Sequence, residues 1–555
     1  MPCDYTGADI LYAAVSASKL RHPDLELVQS FVDHALDRAR AISFVIQAYL
    51  TNTEPRAGLE RFLVDWKRLV SLFAFPRSPT QPLQYSKIVQ DVTKRDGVCF
   101  LTRRNGSFVD PLVVVPIFPD IDRKSLSKTP CLREMLLAFL DQKLLDWLIS
   151  LPHGSSDETT ENFWLLRKSA LLAFSRGFNR VTPVGSYYLV HTTEVDPLAK
   201  PSFVKRWESV RVSPPNLAHM GIRSPDHSAL TILSHFAEPI RWIHISHDLA
   251  HQQTCRKQSD GPPPRSQHSP FLRLWPTITG GMLRAWLHVP VDLRVATYRT
   301  LARAGKYLYG TSSSLDVQRL PFGLYLKMRP RSGQPGLANE CNALDLVRRF
   351  TTITIPRPLD FISHSSHAYL ITSQLRGIPV GMMIDSMSND ATAALVSDLR
   401  KCINQLRAIP NTVAGTSAVT DTRGLAIYDG RVIVKAPYDE VRGDYHGPFE
   451  TEREFNNLLK SYHLPDVEHE DSHAMVLSHA DINMRNVLVD DDGRLSGVVD
   501  WEMAGWYPEY WEYTKTHFTV KRKWRWLMMM DELFAEVGDY RKELGIERQL
   551  WYYCD

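Results

Sequence analysis

Helix-period and strand-period stretches alternate along this chain of 555 residues and predict an α+β protein with more than one domain. Three observations carry that expectation. Residues 254–270 hold Pro262, Pro263 and Pro264 among Ser, Gly and charged residues, with no apolar periodicity, so they read as a linker. The part before them carries long amphipathic helical patterns. The part after them mixes helices with short apolar runs separated by Gly- and Asp-rich turns. A chain of this length is expected to form two or three domains. The division that follows is a separate N-terminal α+β domain over residues 1–253 and a second domain over residues 271–555.

In the N-terminal part, residues 25–50 have helical spacing through Leu27, Phe31, Ala35, Ala39, Phe44, Ile46 and Leu50. Residues 59–75 form a second amphipathic helix, with Phe62, Trp66, Leu69 and Leu72 on one side. Residues 92–102 contain Arg95-Asp96, Cys99 and Thr102, and this segment resembles the opening of HNH-type nuclease domains found in fungi. Residues 112–116 would be the strand of that pattern, Asn162 would open its next segment, and residues 169–177 would be its last helix. Neither the strand nor the helix has the histidine of the pattern; Leu171 stands near the second one. A one-metal nuclease needs an imidazole to activate water. The resemblance therefore implies a degenerate HNH-like core over residues 85–195 without nuclease activity. Residues 187–192 are expected to continue its sheet. His244, His247 and His251, with Asp248 between them, could put imidazoles on one helical face. A polar helix end facing the linker is the preferred reading of them.

In the C-terminal part, residues 293–305 read as a helix. Residues 315–320 and 323–327 read as consecutive strands, the second ending in Lys327. After a Pro- and Gly-rich loop, Asn339-Glu340 opens a helix with Leu344, Val347 and Phe350 at helical spacing. Residues 368–372 form a strand that runs into Ser373-Gln374-Leu375. Residues 475–477 form a strand that ends at His479. Asn486 leads into a strand over residues 486–489, Asp490-Asp491-Asp492-Gly493 makes a hairpin turn, and residues 495–499 return to deliver Asp500. Asp481, Asn486 and Asp500 are thereby brought to one edge of a small sheet.

An Asp followed five residues later by an Asn, with a further Asp at the end of the next hairpin, is how kinase-like enzymes hold a hydroxyl beside a magnesium-bound nucleotide. Asp481 can orient the attacking hydroxyl and take its proton. Asn486 and Asp500 supply oxygen ligands for Mg2+. The stretch over residues 477–513, including Ala504-Gly505-Trp506-Tyr507-Pro508, resembles the catalytic segment of the aminoglycoside phosphotransferase and choline kinase family, nearest its fungal branch. Its aromatics are expected to brace the catalytic lobe.

That resemblance implies a bilobal protein-kinase-like fold, with a small β-rich lobe and a mostly helical large lobe. It implies that Lys327 meets the α- and β-phosphates and that Glu340, 13 residues on, is its ion-pair partner. It also implies that Ser373, Gln374 and Leu375 form the hinge that meets adenine through backbone groups. ATP and Mg2+ are the implied cofactors, and a hydroxylated small molecule is the implied acceptor. No Gly-x-Gly-x-x-Gly precedes the lysine strand; Gly310-Thr311-Ser312-Ser313-Ser314 is the nearest candidate for a phosphate loop. Ala480 stands where the family usually has Gly. Asp439, Glu440, Glu450 and Glu452 read as a solvated charged face, the alternative being contact with an amine on the substrate.

The composition is globular, with 44% hydrophobic and 23% charged residues and a formal net charge of +3. So small a charge argues for neither a nucleic-acid nor a membrane partner, and no apolar run reaches membrane-spanning length. The seven cysteines include no Cys-x-x-Cys pair, and Met1-Pro2-Cys3-Asp4 opens no secretory leader. A reducing, cytoplasmic setting is expected, with the nucleus left open. Oligomeric state is not legible. The leading expectation is an ATP- and Mg2+-dependent kinase acting on a hydroxyl of a small molecule. The alternative is a nucleotide-binding pseudokinase or scaffold fused to an interaction domain.

Overall fold

The computed structural model of the protein describes residues 5–51, 55–74, 87–118, 126, 129–150, 160–185, 187–192, 209–213, 217, 220–258, 283–310, 316–413, 415–435, 440, 443–460, 464–520 and 523–551. The chain divides into two compact units, residues 1–260 and 261–555. Among the described residues, no helix is long and apolar enough to cross a membrane.

The first unit is a helical layer with two small sheets. Its helical part centres on aromatic packing: Phe31 meets Trp66 at 4.9 Å and Phe73 stacks on Phe236 at 3.8 Å. The Trp66 indole donates to Leu27 O at 3.1 Å. The helical run expected over residues 25–50 is two helices, Asp24–Asp33 and Arg38–Leu50. Asp37 breaks it by capping the second one, its carboxylate accepting from Arg40 N–H. The helix expected over residues 59–75 spans Pro55–Phe73.

Strands β1 (Leu112–Pro116) and β2 (Phe163–Arg167) pair antiparallel. Strands β3 (Asn179–Val184), β4 (Tyr187–Thr192) and β5 (Ser209–Val212) form a separate sheet. Residues 187–192 therefore do not continue the β1–β2 pair, because β4 takes its partners on both edges from β3 and β5. Arg95 and Asp96, fully buried, tie the first sheet to its surroundings. The Arg95 guanidinium holds the Asp96 carboxylate, Thr160 O, Arg223 O and Phe163 O, and Asp96 accepts from Leu165 N–H at 2.8 Å. This Arg–Asp pair is spent on structure. The helix His227–Gln258 runs through the first five residues of the expected linker; residues 259–270 lie outside the described residues.

The second unit has a small β-rich lobe and a larger, mostly helical one. Strands β6 (Val317–Leu320), β7 (Leu324–Pro330), β8 (Pro358–Ser363) and β9 (His367–Ser373) form an antiparallel sheet in the order β6-β7-β9-β8. Alternation along β9 divides its side chains between two helices. Tyr369 and Ile371 join Val295 and Tyr298 of the helix Val291–Tyr309, while Ala368 and Leu370 meet Leu337 of the helix Gln334–Phe350. That second helix begins five residues before Asn339, because Pro335 sits in its first turn, where a missing N–H costs nothing. Strand β7 continues three residues past Lys327, to Pro330.

In the large lobe, β10 (Ile378–Pro379), β13 (Val487–Val489) and β14 (Leu495–Val498) form one sheet. Strands β11 (Thr420–Asp421), β12 (Met475–Ser478) and β15 (Gly505–Pro508) form another. The β13–β14 turn closes as its Asp-Gly sequence dictates: Gly493 N–H donates to Asp490 O, with Gly493 at φ 77°. Aromatics after β14 brace the lobe, as expected: Tyr507 and Trp511 are fully buried and stack with planes 1° apart.

Candidate active site

The lysine faces the Glu340 helix because of strand parity. Lys327 pairs in register with Leu370, so it lies on the sheet face that meets the helix Gln334–Phe350. There its Nζ lies 2.8 and 2.7 Å from the two Glu340 carboxylate oxygens and 2.5 Å from Asp500 Oδ1. Burial alone would push the lysine down. Glu340, Asp500 and Glu502 outweigh burial and hold it protonated, above its ordinary value. Burial also works against ionised Asp500, but the ammonium beside it prevails and keeps that carboxyl low. Glu502 has the Arg329 guanidinium at 3.0 Å, and burial, with Asp500 next to it, raises it to about 7.

The other half of the site is the loop after β12. Asp481 N–H donates to His479 Nδ1 at 3.2 Å, which leaves Nε2–H to donate to Val499 O at 3.1 Å. His479 is thus a neutral imidazole, consistent with burial pushing it down. Asn486 Nδ2 donates to Asp481 Oδ2 at 2.8 Å and to Asp481 O at 3.0 Å. Its carbonyl oxygen is left for another partner. Val499 N–H donates to Asn486 O at 2.9 Å, which sets Asn486 beside the end of the strand that delivers Asp500. Burial raises Asp481 above the usual carboxylate range, against the pull of Lys515.

Two site residues have left-handed backbones. Ala480 has φ 61° and Asp500 has φ 70°. The alanine is held there by Glu512, which accepts from Ala480 N–H at 2.9 Å and Ile482 N–H at 3.3 Å. A carboxylate beneath the loop therefore does the holding at a position where glycine would adopt this angle unaided.

The hinge segment is fixed on both sides. Ser373 exchanges two bonds with Arg357, and Gln374 N–H donates to Gly323 O at 2.8 Å. Leu375 packs so closely on the β13–β14 hairpin that a Cβ at Gly497 would lie 2.6 Å from its Cδ1. Residues 311–314 of the candidate phosphate loop, and Asp439, lie outside the described residues. Glu440 and Glu450 are exposed, but Glu452 does not join a solvated face. It is 3% exposed and bonds both His473 N–H and the His473 ring. His244 turns its ring to Ser175 O at 3.2 Å.

Among the described His, Cys, Asp and Glu side chains, Glu340, Asp500 and Glu502 form a group of three close enough to share an ion. Asp500 of the expected metal pair belongs to this group; Asn486, an amide, is of a residue type outside it. Sequence reading passed over Glu512 and Asn339; the Trp-Glu-Tyr run at residues 511–513 was the available signal for the first. Lys327, Glu340 and Asp500 form one charged cluster, and Asp481 with Asn486 forms a hydrogen-bonded pair one strand away. A cation beside paired carboxylates, with a buried carboxylate facing the same loop, can neutralise a phosphate chain and receive a proton.

A family model described as the phosphotransferase enzyme family matches residues 317–544. No curated protein matches the chain. Among solved structures, the aminoglycoside phosphotransferase APH(3'')-Id from Streptomyces rimosus, in complex with ADP and streptomycin, is 21% identical, with 48% of this chain and 100% of that one covered and a TM-score of 0.33. The aminoglycoside phosphotransferase APH(4)-Ia is 17% identical, with 44% and 81% covered and a TM-score of 0.29.

Proposed function

We propose that the phosphotransferase-family domain of this chain transfers the γ-phosphate of ATP to a hydroxyl of a small molecule. The observation that carries the reading is Lys327 Nζ, shared between Glu340 of the small lobe and Asp500 of the large one. Lys327 would bind the α- and β-phosphates, and Glu340 would orient it. The hinge Ser373-Gln374-Leu375 would meet adenine through its backbone. Asp481 would accept a hydrogen bond from the acceptor hydroxyl and take its proton as the oxygen bonds to the γ-phosphorus. The bond from that phosphorus to the bridging oxygen breaks in the same step, and ADP leaves with the electron pair.

The donor set fits a hard cation: a carboxylate at Asp500 and an amide oxygen at Asn486, whose nitrogen is already committed to Asp481. A bound Mg2+ would neutralise charge on the β- and γ-phosphate oxygens. Residues 1–260 are read as a scaffold or interaction unit; the internal use of Arg95 and Asp96 supports a degenerate HNH-like core there without cleavage chemistry.

The test is calorimetric titration of the purified protein with ATP, with and without Mg2+, followed by a metabolite-extract screen for phosphorylated products. Asp500→Ala is expected to remove the magnesium dependence of nucleotide binding. Wild-type magnesium dependence in that variant would put the ligand elsewhere.

A further inference from the structure

The helix that carries Glu340 is bound to both lobes. One face, with Leu337 and Cys341, lies on Ala368, Leu370 and Phe361 of the small-lobe sheet. Another face carries Asn339 and Asn342, one turn apart, to the large lobe. Asn339 is 4% exposed. Its Nδ2 donates to Glu502 O at 2.9 Å and to Ala504 O at 2.7 Å. Its Oδ1 accepts from Thr422 N–H at 3.0 Å and from the Thr422 hydroxyl at 2.6 Å. A side-chain amide offers two N–H donors and two lone pairs, and all four are used. Asn342 adds a bond to Thr422 O at 3.0 Å, and Gly336 N–H donates to the Tyr445 hydroxyl at 2.9 Å.

These bonds close a ring through the candidate site. Glu340 holds Lys327, and Lys327 holds Asp500. Two residues beyond Asp500, the Glu502 carbonyl is held by Asn339, which adjoins Glu340. Trp501 N–H, inside the ring, also donates to Glu340. Moving the helix away would break the ring at Asn339 and leave buried carbonyls without donors.

We propose that Asn339 is a positioning residue that sets Asp500 against Lys327 and Glu340, so that the magnesium end of the nucleotide site is already assembled before nucleotide binds. The proposal rests on the nucleotide-binding reading above. It differs from a general stabilising role because the loop that Asn339 holds carries the metal carboxylate, whereas the hinge is held by other bonds.

The test uses the full chain and its Asn339→Asp and Asn342→Ala variants. Aspartate keeps the shape and the bonds to Thr422 but gives up both donors to Glu502 and Ala504. AMP-PNP is titrated by calorimetry with and without Mg2+, and amide exchange over residues 334–350 and 500–504 is followed without nucleotide. Asn339→Asp is expected to lose about tenfold or more in affinity with Mg2+, with less than about a twofold change without it. It should exchange faster over both segments, while Asn342→Ala keeps the magnesium dependence. Unchanged magnesium-dependent affinity in Asn339→Asp, or an equal loss in both titrations, overturns the proposal. If Asn339→Asp does not fold, Thr422→Val, which removes only the hydroxyl bond, is expected to show a smaller loss with Mg2+; no loss there overturns the proposal as well. Wild-type protein that binds no nucleotide sinks the reading beneath the proposal, and does so before any variant is compared.

Discussion

Asp481, on the loop after β12, and Glu512, in the helix beneath that loop, are both buried carboxylates with different proposed tasks. Asp481 is 9% exposed, and its carboxylate accepts side-chain bonds from Asn486 and Asn483. Asp481→Asn keeps that shape without the basic oxygen. Transfer is expected to fall by roughly 10²–10⁴-fold, with nucleotide affinity and melting temperature near wild type. Equal turnover in a product assay would remove Asp481 from the chemistry. Glu512 is 2% exposed. It satisfies two backbone donors and holds Ala480 in a left-handed conformation that costs an L-residue about 1–2 kcal/mol. Glu512→Ala is expected to lose on the order of 3 kcal/mol in chemical denaturation, since two buried N–H groups lose a charged acceptor. A stability near wild type would mean that the loop is held by other contacts.

The C-terminal helix Arg541–Trp551 is tied to the rest of the large lobe partly through His473. The His473 ring sits 2.7 Å from Glu452 Oε1 and 3.5 Å from Glu543 Oε1, in an edge-to-face contact with Tyr510, and it also feels Glu470. Its bond to Glu452 raises it above 6.5. Because the folded-state value is the higher one, its contribution to stability is complete below the unfolded value and is lost as pH rises through the folded value. Wild type should therefore exceed His473→Gln in melting temperature by more at about pH 6 than at about pH 9. A gap that widens with pH would reverse the sign and place the proton elsewhere.

The chain joins a unit that is similar to the phosphotransferase enzyme family over residues 317–544 to a second compact unit, residues 1–260. Strand β1 and the helix Lys168–Ser175 carry no histidine, and Arg95 and Asp96 are consumed by each other and by nearby carbonyls. The full protein is expected to leave plasmid DNA intact with Mg2+, Mn2+ or Zn2+. Nicking that persists in the Asp481→Asn background would show that another set of residues does the work, with His244, His247 and His251 the first to replace.

The order of elements and the identity of the chemical groups were legible from the chain. Residues 475–500 run strand, loop, strand, turn and strand within one stretch, so spacing and turn chemistry alone bring Asn486 and Asp500 close together. Lys327 and Glu340 were singled out by what the family resemblance implies, on a strand and helix that the local pattern indicated. The boundaries were less legible, because Pro335 reads as a loop signal yet suits a first helical turn, and Asp37 reads as a helix residue yet caps a new helix. Contacts between residues far apart in sequence were not legible at all. Asn339 meets Glu502 and Ala504, Glu512 supports Ala480, and Glu452 turns inward to His473. No periodicity or motif encodes such pairs, since they arise only when packed elements bring a buried donor within reach of an acceptor. Local spacing and the resemblance it carries thus pointed to the candidate groups, and packing chose the partners that hold them in place.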